Sequence, residues 1–299
     1  MSSLGNMAGA FPAAPTRWSG SWQRVSGPMT WVTKQKLALI LPAFVLLIVV
    51  TASLLAAVIA PYDPNALNMQ QMLASPSLEH PLGTDQLGRD VLSRILYGGR
   101  TTIVMSLLGT IAIVSIGLLI GLTTGYIGGR FDLVVSTLLT VLLSVPSLLL
   151  TLAILGVLGA GTETLLIALI GAGWVGHARI FRSSVLSLRE TVYVEAAQSI
   201  GASSGRVLTR HILPNLLTTV VVMATLDLGA LILTVTSLSF LGLGVQPPNA
   251  DWGTMLNEAR TYFGQYPILA IAPGVCITLV ALLCNLLGDA IRDAVDVGQ

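Results

Sequence analysis

Residues 37–60 read LALILPAFVLLIVVTASLLAAVIA, and none of them is charged. Because an α-helix rises about 1.5 Å per residue, an apolar run of this length can cross the ~30 Å hydrocarbon core of a bilayer. A cleaved signal peptide is the alternative, but the run is too long for one and begins too far from Met1. The stretch therefore predicts a first permanent membrane span.

Five further apolar runs follow, each near or above the length of a tilted spanning helix. The chain is 54% hydrophobic and 10% charged, with a mean hydropathy of +0.82. Soluble domains are about 25% charged, so this composition excludes a soluble enzyme. The expected fold class is all-α, a polytopic membrane protein with six transmembrane helices. The five additional runs cover residues 101–127, 133–158, 165–181, 216–241 and 267–287.

Basic residues indicate the orientation of these spans, because cytoplasmic flanks retain Lys and Arg. The N-terminal tail, the turn at Arg130, the segment 179–210 and the end at Arg292 contain 11 of the 15 basic residues. Six spans place both termini on one side, and this distribution predicts that both termini are cytoplasmic.

The same topology divides the chain into regions. Residues 1–33 are expected to form a flexible cytoplasmic N-terminal tail, and residues 34–299 a transmembrane domain. Segments 61–99 and 244–266 then lie outside the membrane on the far side. Residues 189–212 form an inside segment between the fourth and fifth spans.

This inside segment is predicted to be a bent pair of short helices. Residues 195–197 favour a helix, and Gly201 can adopt the left-handed conformation that ends one. Ser203 or Ser204 can cap a second helix, and Pro214 is placed to stop it where the fifth span begins. A bent segment of this kind, held at the membrane surface, is a suitable lever for a partner protein.

The spacing of these residues resembles a known motif. Glu-Ala-Ala at 195–197, then Gly201, then His-Ile-Leu-Pro at 211–214 is similar to the EAA loop of bacterial ABC importer permeases. In that family the loop forms a coupling helix that docks in a groove on the ATPase subunit. An amphipathic connector without a partner is the alternative. The resemblance implies an ATPase-coupling role for Glu195, Ala196, Ala197, Gly201, Arg210, His211 and Pro214.

The basic residues of this motif have a second explanation. Arg206, Arg210 and His211 could meet acidic side chains of an ATPase or lipid phosphates, but positive charge is expected on any cytoplasmic loop. Both explanations remain open.

Three other stretches narrow the resemblance. Residues 80–94, HPLGTDQLGRDVLSR, are similar to the segment before the second span in the peptide and nickel permease group. Residues 239–248, SFLGLGVQPP, and 285–293, NLLGDAIRD, resemble the second permease of that group. The resemblance runs from about residue 34 to the end and implies a type I-like permease for oligopeptides or dipeptides. Nickel, a metal chelate, glutathione or another small solute is the alternative.

Partners follow from the resemblance and from what the chain lacks. Its only lysines, Lys34 and Lys36, do not follow a Gly-rich phosphate-binding turn, so no cofactor is expected and ATP would be bound by partner subunits. The resemblance implies a sister permease in a heterodimer, two ATPase subunits or domains, and an extracytoplasmic solute-binding protein, in the lipid of a bacterial inner membrane. A net charge of +1 argues against a nucleic-acid partner.

Asp227 lies about 16 Å into the fifth predicted span by helix rise. An acid at that depth is costly and usually faces protein or water. Either it lines the translocation path and meets a polar or cationic part of the solute, or it is satisfied by a neighbouring Thr or Ser or by the sister permease. The sequence leaves both alternatives open.

Small residues and prolines suggest how the spans pack. Gly117, Gly121 and Gly125 recur every four residues and present a flat face for a close helix neighbour. Pro146 and Pro273 are expected to kink the third and sixth spans.

Other function classes fit the sequence poorly. His80, His177 and His211 fall in separate regions of the predicted topology, so a three-His metal site is not expected. An intramembrane protease would need a Ser and a His on facing spans, and His177 is the only His in a predicted span. An ion-driven carrier or channel would show inverted repeats or rings of intramembrane charge, and neither is evident.

Overall fold

The computed structural model describes residues 28–296, with side chains from 39 to 294. All the named elements in this range are helical. The sequence prediction of a tail reached residue 33, whereas α1 already begins at Pro28; the rest of that tail lies outside the described residues. The helices are α1 (Pro28–Leu54), α2 (Ala56–Ile59), α3 (Val91–Ile127), α4 (Gly129–Leu143), α5 (Ser147–Leu158), α6 (Thr162–Arg189), α7 (Val192–Ser199), α8 (Ser204–Val207), α9 (Leu213–Phe240), α10 (Trp252–Ala259) and α11 (Ile268–Asp296).

Four helical segments in the described part of the chain are long and apolar enough to cross a membrane. The number is five if α4 and α5 are counted as one span. The apolar part of α1, Leu39–Leu54, is shorter than these. The all-α membrane class is therefore confirmed, while the count of six spans stays a prediction. The four segments are Val91–Ile127, Thr162–Arg189, Ser204–Phe240 and Ile268–Ala294.

The third predicted span, 133–158, is not one straight helix. Its residues divide between α4 and α5, whose axes meet at 83°. Pro146 lies at the break and takes an extended conformation with ψ of 131°. Proline lacks a backbone N–H and favours this break, so the predicted kink is present here as a sharp bend. Pro273, by contrast, lies inside α11, which continues through it.

The centre of the fold is the pairing of α3 with α6. A Cβ added at Gly117 would lie 2.5 Å from His177 Cβ, and one at Gly121 would lie 2.7 Å from the Ala178 carbonyl oxygen. At Gly125 it would lie 2.9 Å from the Arg182 carbonyl oxygen. No side chain fits these gaps, which confirms that the glycine face serves close helix packing.

Both segments predicted to lie outside the membrane meet at one end of the helices. The indole Nε1 of Trp252, which is fully buried, donates to the Ile95 carbonyl at 3.0 Å. Arg94 Nη2 donates to Glu258 Oε2 at 2.9 Å. Segments 61–99 and 244–266 therefore form one cap on the bundle, which we call the outer cap after its predicted side.

Asp251 fixes the start of α10 within this cap. Its Oδ1 accepts a hydrogen bond from the Thr254 backbone N–H at 2.8 Å. The carboxyl group is fully buried, and burial raises its pKa above the ordinary value of 3.8, although hydrogen bonds from Ser239, Thr254 and Gly253 oppose that shift. This buried acid of the cap therefore stays protonated to a higher pH than an exposed aspartate does.

The segments predicted to lie inside meet at the opposite end. Arg182 Nη2 on α6 donates to Asp132 Oδ2 on α4 at 2.7 Å. Arg189 Nη1 donates to the Tyr126 carbonyl at the end of α3 at 3.2 Å. The turn at Arg130 and the segment 189–212 therefore share one end of the molecule, as the predicted alternation of spans requires.

Candidate functional site

The short helix α7 follows the end of α6 and terminates in a left-handed turn. Gly201 has φ of +82°, as predicted. Its N–H donates to the Gln198 carbonyl at 2.9 Å, and the Ala202 N–H donates to the Ala197 carbonyl at 3.1 Å. These two bonds form a Schellman motif, which satisfies the last carbonyls of a helix. The chain thus turns sharply into α8, whose N-cap is Ser203.

The inner face of this segment belongs to a small hydrophobic core. Val194 of α7 and Val207 of α8 are fully buried against Val185 of α6 and Ile212 and Leu216 at the start of α9. Each buried aliphatic side chain contributes roughly 1.5–3 kcal/mol. The short helices are therefore packed against the two long helices that flank them.

The outer face of α7 is exposed and partly apolar. Val192 is 82% exposed and Ile200 is 87% exposed, with Tyr193 beside them. Glu195 and Ala196 are also exposed on this helix. We call residues 189–212 the coupling segment, after the role that the motif implies, and the side chains of Val192, Tyr193, Glu195, Ala196 and Ile200 the coupling face. A cluster of large, solvent-exposed apolar side chains is typical of a contact surface.

The sequence prediction included Glu195 and Ala196 of this surface and missed its large apolar members, Val192, Tyr193 and Ile200. The spacing of apolar residues along α7 indicates which of them are exposed. Val194 and Ala197 are three residues apart and buried on one side, which leaves Val192 on another side of the same helix. A pattern search for acidic and basic contacts could not reveal it.

The remaining motif residues have different roles in the structure. Ala197 is buried, so it packs rather than contacts a partner. Arg210 is exposed, whereas His211 is half-buried with its ring 6.4 Å from that of Tyr193. Glu195, Gly201, Arg210 and His211 thus lie in one segment, and their contact with an ATPase stays a prediction.

Pro214 does not stop the second short helix, and that prediction was wrong. Helical structure runs without a break from Ser204 to Phe240. A π-turn at Leu208–Ile212 widens the helix, and the Leu213 N–H bonds to the Leu208 carbonyl. Pro214 therefore lies inside continuous helical structure, directly after the π-turn, and its ring and missing N–H are incompatible with the regular i→i−4 pattern at this point.

Residues 201–205 read GASSG and match the Gly-x-Ser-x-Gly pattern of hydrolase nucleophiles. That chemistry needs the serine on a sharp turn from a strand into a helix. Here the pattern connects the two short helices α7 and α8. Gly201 is explained by the turn that ends α7. Ser203 does not lie on a turn from a strand into a helix, so the segment is not a nucleophile elbow.

Asp227 has a partner that neither sequence alternative named. Its Oδ2 is hydrogen-bonded to Nε2 of His177 on α6. The other ring nitrogen, Nδ1, lies 3.2 Å from the Gly173 carbonyl. The His177 side chain is 13% exposed and that of Asp227 is 28% exposed. The pair therefore links α6 to α9, and the Asp227 side chain stays partly accessible.

The length of α6 explains why the pair was missed. The predicted fourth span ended at residue 181, which placed His177 near the membrane surface. The helix continues to Arg189, so His177 lies about 18 Å from its end. That depth matches the depth of Asp227 along α9.

In the described part of the chain, no group of three or more His, Cys, Asp or Glu side chains is arranged to hold a metal ion. His80 is engaged elsewhere, with Nδ1 2.9 Å from Asp90 Oδ1 and Nε2 3.0 Å from Gln71 Oε1. The three histidines thus lie at three places: in the outer cap, within the bundle and in the coupling segment.

The outer cap contains a polar cavity of about 640 Å³. Its walls come from the end of α2, the segment 61–65, α3, the start of α6 and the loop after α9. A second cavity of about 490 Å³ is adjacent and shares Tyr62 and Asp63 with it.

Sequence comparisons assign the chain to a family. The family described as "Binding-protein-dependent transport system inner membrane component" matches residues 117–298. The chain is 38% identical over 261 residues to the nickel transport system permease protein NikC of Escherichia coli, covering 87% of this chain and 93% of that protein. It is 38% identical over 282 residues to the glutathione transport system permease protein GsiD of Pectobacterium atrosepticum, covering 94% and 91% respectively.

The GsiD protein of Shigella boydii is similar to the same extent, at 39% identity over 282 residues. These alignments extend through almost the whole chain, including the coupling segment and the outer cap. The aligned relatives are permease subunits of transport systems rather than enzymes. The chain therefore belongs to the binding-protein-dependent inner membrane components, as a permease subunit of the peptide and nickel group of ABC importers.

Proposed function

We propose that this permease imports oligopeptides or dipeptides into the cytoplasm, using ATP hydrolysed by partner subunits. Support comes from its similarity to glutathione permeases, since glutathione is itself a short peptide. The similar NikC permease makes nickel the alternative, and a metal chelate or another small solute would use the same machinery. In this proposal both termini are cytoplasmic, and a sister permease completes the translocation path within the lipid.

The observation that carries the coupling mechanism is the exposed apolar coupling face on a segment fixed to α6 and α9. Exposed apolar side chains contribute binding energy when a partner covers them, so two ATPase subunits or domains would hold this face in their grooves. Because Val194 and Val207 are packed against the bases of both long helices, closure of the ATPases would move α6 and α9 as a unit. Such a rigid-body motion can switch the path from inward to outward access.

Asp227 is proposed to line the translocation path. Asp227 is the one acidic residue of α9, and its side chain stays 28% exposed beside His177. A carboxylate at this depth would attract the cationic or polar part of a passing solute. His177 would then hold the carboxylate in place.

Reconstitution of the complete transporter tests the proposed solute. The permease, its sister subunit, the ATPases and the binding protein are placed in proteoliposomes containing ATP. We expect ATP-dependent accumulation of a labelled dipeptide and no ATP hydrolysis by the purified permease alone. Uptake of Ni²⁺ without dipeptide uptake would overturn the peptide proposal in favour of the nickel alternative, and ATP hydrolysis by the permease alone would overturn the division of labour.

A further inference from the structure

The larger cavity of the outer cap has the size and lining of a small-molecule site. Its volume of about 640 Å³ falls in the range of ~300–1,000 Å³ usual for such sites. Four parts of the chain that are distant in sequence supply its walls. Polar groups in the lining are the side chains of Tyr62, Asp63, Asn65, Tyr97, Thr101, Thr162 and Asn249.

The charge of this lining is one-sided. Asp63 is the only Asp or Glu among the lining residues, and none of them is Lys, Arg or His. Two aromatic side chains, those of Tyr62 and Tyr97, also line the cavity. A carboxylate next to aromatic faces is the usual environment for an ammonium group, which gains from both the charge and the ring quadrupoles.

One local hydrogen bond orients the exposed Asp63 side chain. Asp63 Oδ1 accepts a hydrogen bond from the Asn65 backbone N–H at 2.8 Å. The neighbouring Tyr62 N–H donates to Ser93 Oγ at 3.1 Å, and the Tyr62 ring lies 4.7 Å from the His80 ring. A site ordered in advance loses less conformational entropy when it binds.

The adjacent cavity of about 490 Å³ extends this environment. Besides Tyr62 and Asp63, it is lined by Glu79, His80 and Asp90. Asp90 is engaged by His80 and by the Ser93 backbone N–H at 2.8 Å, which leaves Glu79 exposed at the rim. A second acid beside the first cavity raises the local concentration of cations.

We propose that the larger cavity is an entry site for a small solute with a primary ammonium group, such as the amino end of a short peptide. The ammonium lies against Asp63 and the two tyrosine rings, and the amide and hydroxyl groups of the wall meet the rest of the solute. A bare divalent cation fits the lining less well, because it needs several carboxylate or imidazole ligands. The identity of the solute rests on the proposed function.

Binding to the complete transporter without its binding protein tests this site. The probe is alanyl-alanine, observed by saturation-transfer NMR, and the matched probe is N-acetyl-alanyl-alanine, which has no ammonium group. We expect the free dipeptide to bind at least tenfold more tightly than the acetylated one, since a charge-assisted hydrogen bond is worth about 1.5–3 kcal/mol. Equal binding of the two probes, or binding of neither, would overturn the proposal.

Variants locate the site. Asp63→Asn should weaken dipeptide binding about tenfold, while Glu163→Gln, an exposed acid on α6 outside the lining, should leave it unchanged. Thermal unfolding of each variant shows whether it is folded. Should Asp63→Asn fail to fold, Tyr97→Leu replaces it and is expected to lower the affinity about threefold through the lost ring contact. Unchanged binding in a folded variant would overturn the site.

Two further arms separate other sources of a cation. If Asp63→Asn only raises the half-saturating concentration of the binding protein and leaves free dipeptide binding intact, the carboxylate contacts that protein and the proposal is wrong. Displacement of the dipeptide by micromolar Ni²⁺ would also overturn it. Dipeptide uptake by the wild-type transporter is measured in parallel, so that loss of the entry site and failure of the proposed function are distinguished.

Discussion

Arg89 and Glu258, separated by 169 positions in the chain, are joined by a hydrogen bond of 2.8 Å between Nη2 and Oε2. The same Oε2 accepts from Arg94 at 2.9 Å, and Asp85 Oδ2 accepts from Arg89 Nε at 2.6 Å. All four groups are buried or nearly so. The charges of the two acids and the two arginines cancel. Together these four side chains connect the segment before α3, and the start of α3, to α10.

Removal of Glu258 should therefore destabilise the outer cap. Glu258→Ala leaves Arg94, which is fully buried, without its nearest acid. Breaking one partner of a buried pair costs about 3–5 kcal/mol because the other charge stays desolvated. Denaturant unfolding in detergent measures the loss. Glu79→Ala, at an exposed site in the same cap, is the control and should change stability by less than about 0.5 kcal/mol.

The coupling face gives a second prediction. Val192→Ser together with Ile200→Ser should weaken ATPase binding about tenfold or more, since truncation of apolar contact residues commonly costs over 1 kcal/mol. Glu195→Lys should weaken it as well by reversing the charge. Affinity is measured by co-purification and titration of the ATPase subunits. Val157→Ser, which alters a side chain 85% exposed at the end of α5, serves as the control; equal losses there would remove α7 from the contact.

Helix packing provides a third test. Gly121→Ala would place its Cβ 2.7 Å from the Ala178 carbonyl oxygen, so α3 and α6 must separate, at a cost of about 1–3 kcal/mol. Gly176→Ala in α6 meets nothing within 4 Å and should be neutral or slightly stabilising, because alanine favours helix. Thermal unfolding of both variants measures the difference. Similar melting temperatures would contradict the tight interface.

These residues mark how far the sequence alone could lead. A run of glycines at a spacing of four predicts a close helix neighbour, and Gly201 predicts a left-handed turn, because both depend on local geometry. The bend between two short helices at residues 195–207 was predicted for the same reason. The Arg89–Glu258 pair could not be predicted, since local patterns say nothing about which loops meet across 169 positions.

Helix length accounts for the other differences. Hydropathy ends a span where polar residues begin, yet α6 continues through Arg182 to Arg189 because Asp132 and the Tyr126 carbonyl accept from those arginines. That extension determines the depth of His177. The exposed Val192 was missed because the motif directed attention to Glu195 and the basic residues, and exposure of an apolar side chain depends on which face of α7 packs against the bundle.

Asp251 gives a prediction about pH. Its pKa is raised in the folded state above the ordinary 3.8, chiefly by burial, so the folded state binds this proton more tightly than the unfolded state. Its contribution to stability is therefore fully present below pH 3.8 and is lost as pH rises through the raised pKa. Asp251→Asn keeps a helix-capping side chain but cannot titrate. The stability of wild type relative to this variant should fall as pH rises, and a difference independent of pH would contradict the buried acid.

The His177–Asp227 pair separates a structural role from a role in the path. If the pair only joins α6 to α9, then His177→Leu and Asp227→Leu each leave a buried polar partner unsatisfied and destabilise the protein, while the double variant recovers stability and transports normally. If Asp227 also meets the solute, Asp227→Asn should assemble normally but change the maximal rate or half-saturation of uptake. His177→Gln, which can still donate to the carboxylate, should preserve uptake better than His177→Leu at equal stability. Uptake kinetics and unfolding of the five variants decide, because normal transport by the double variant would return Asp227 to a purely structural role.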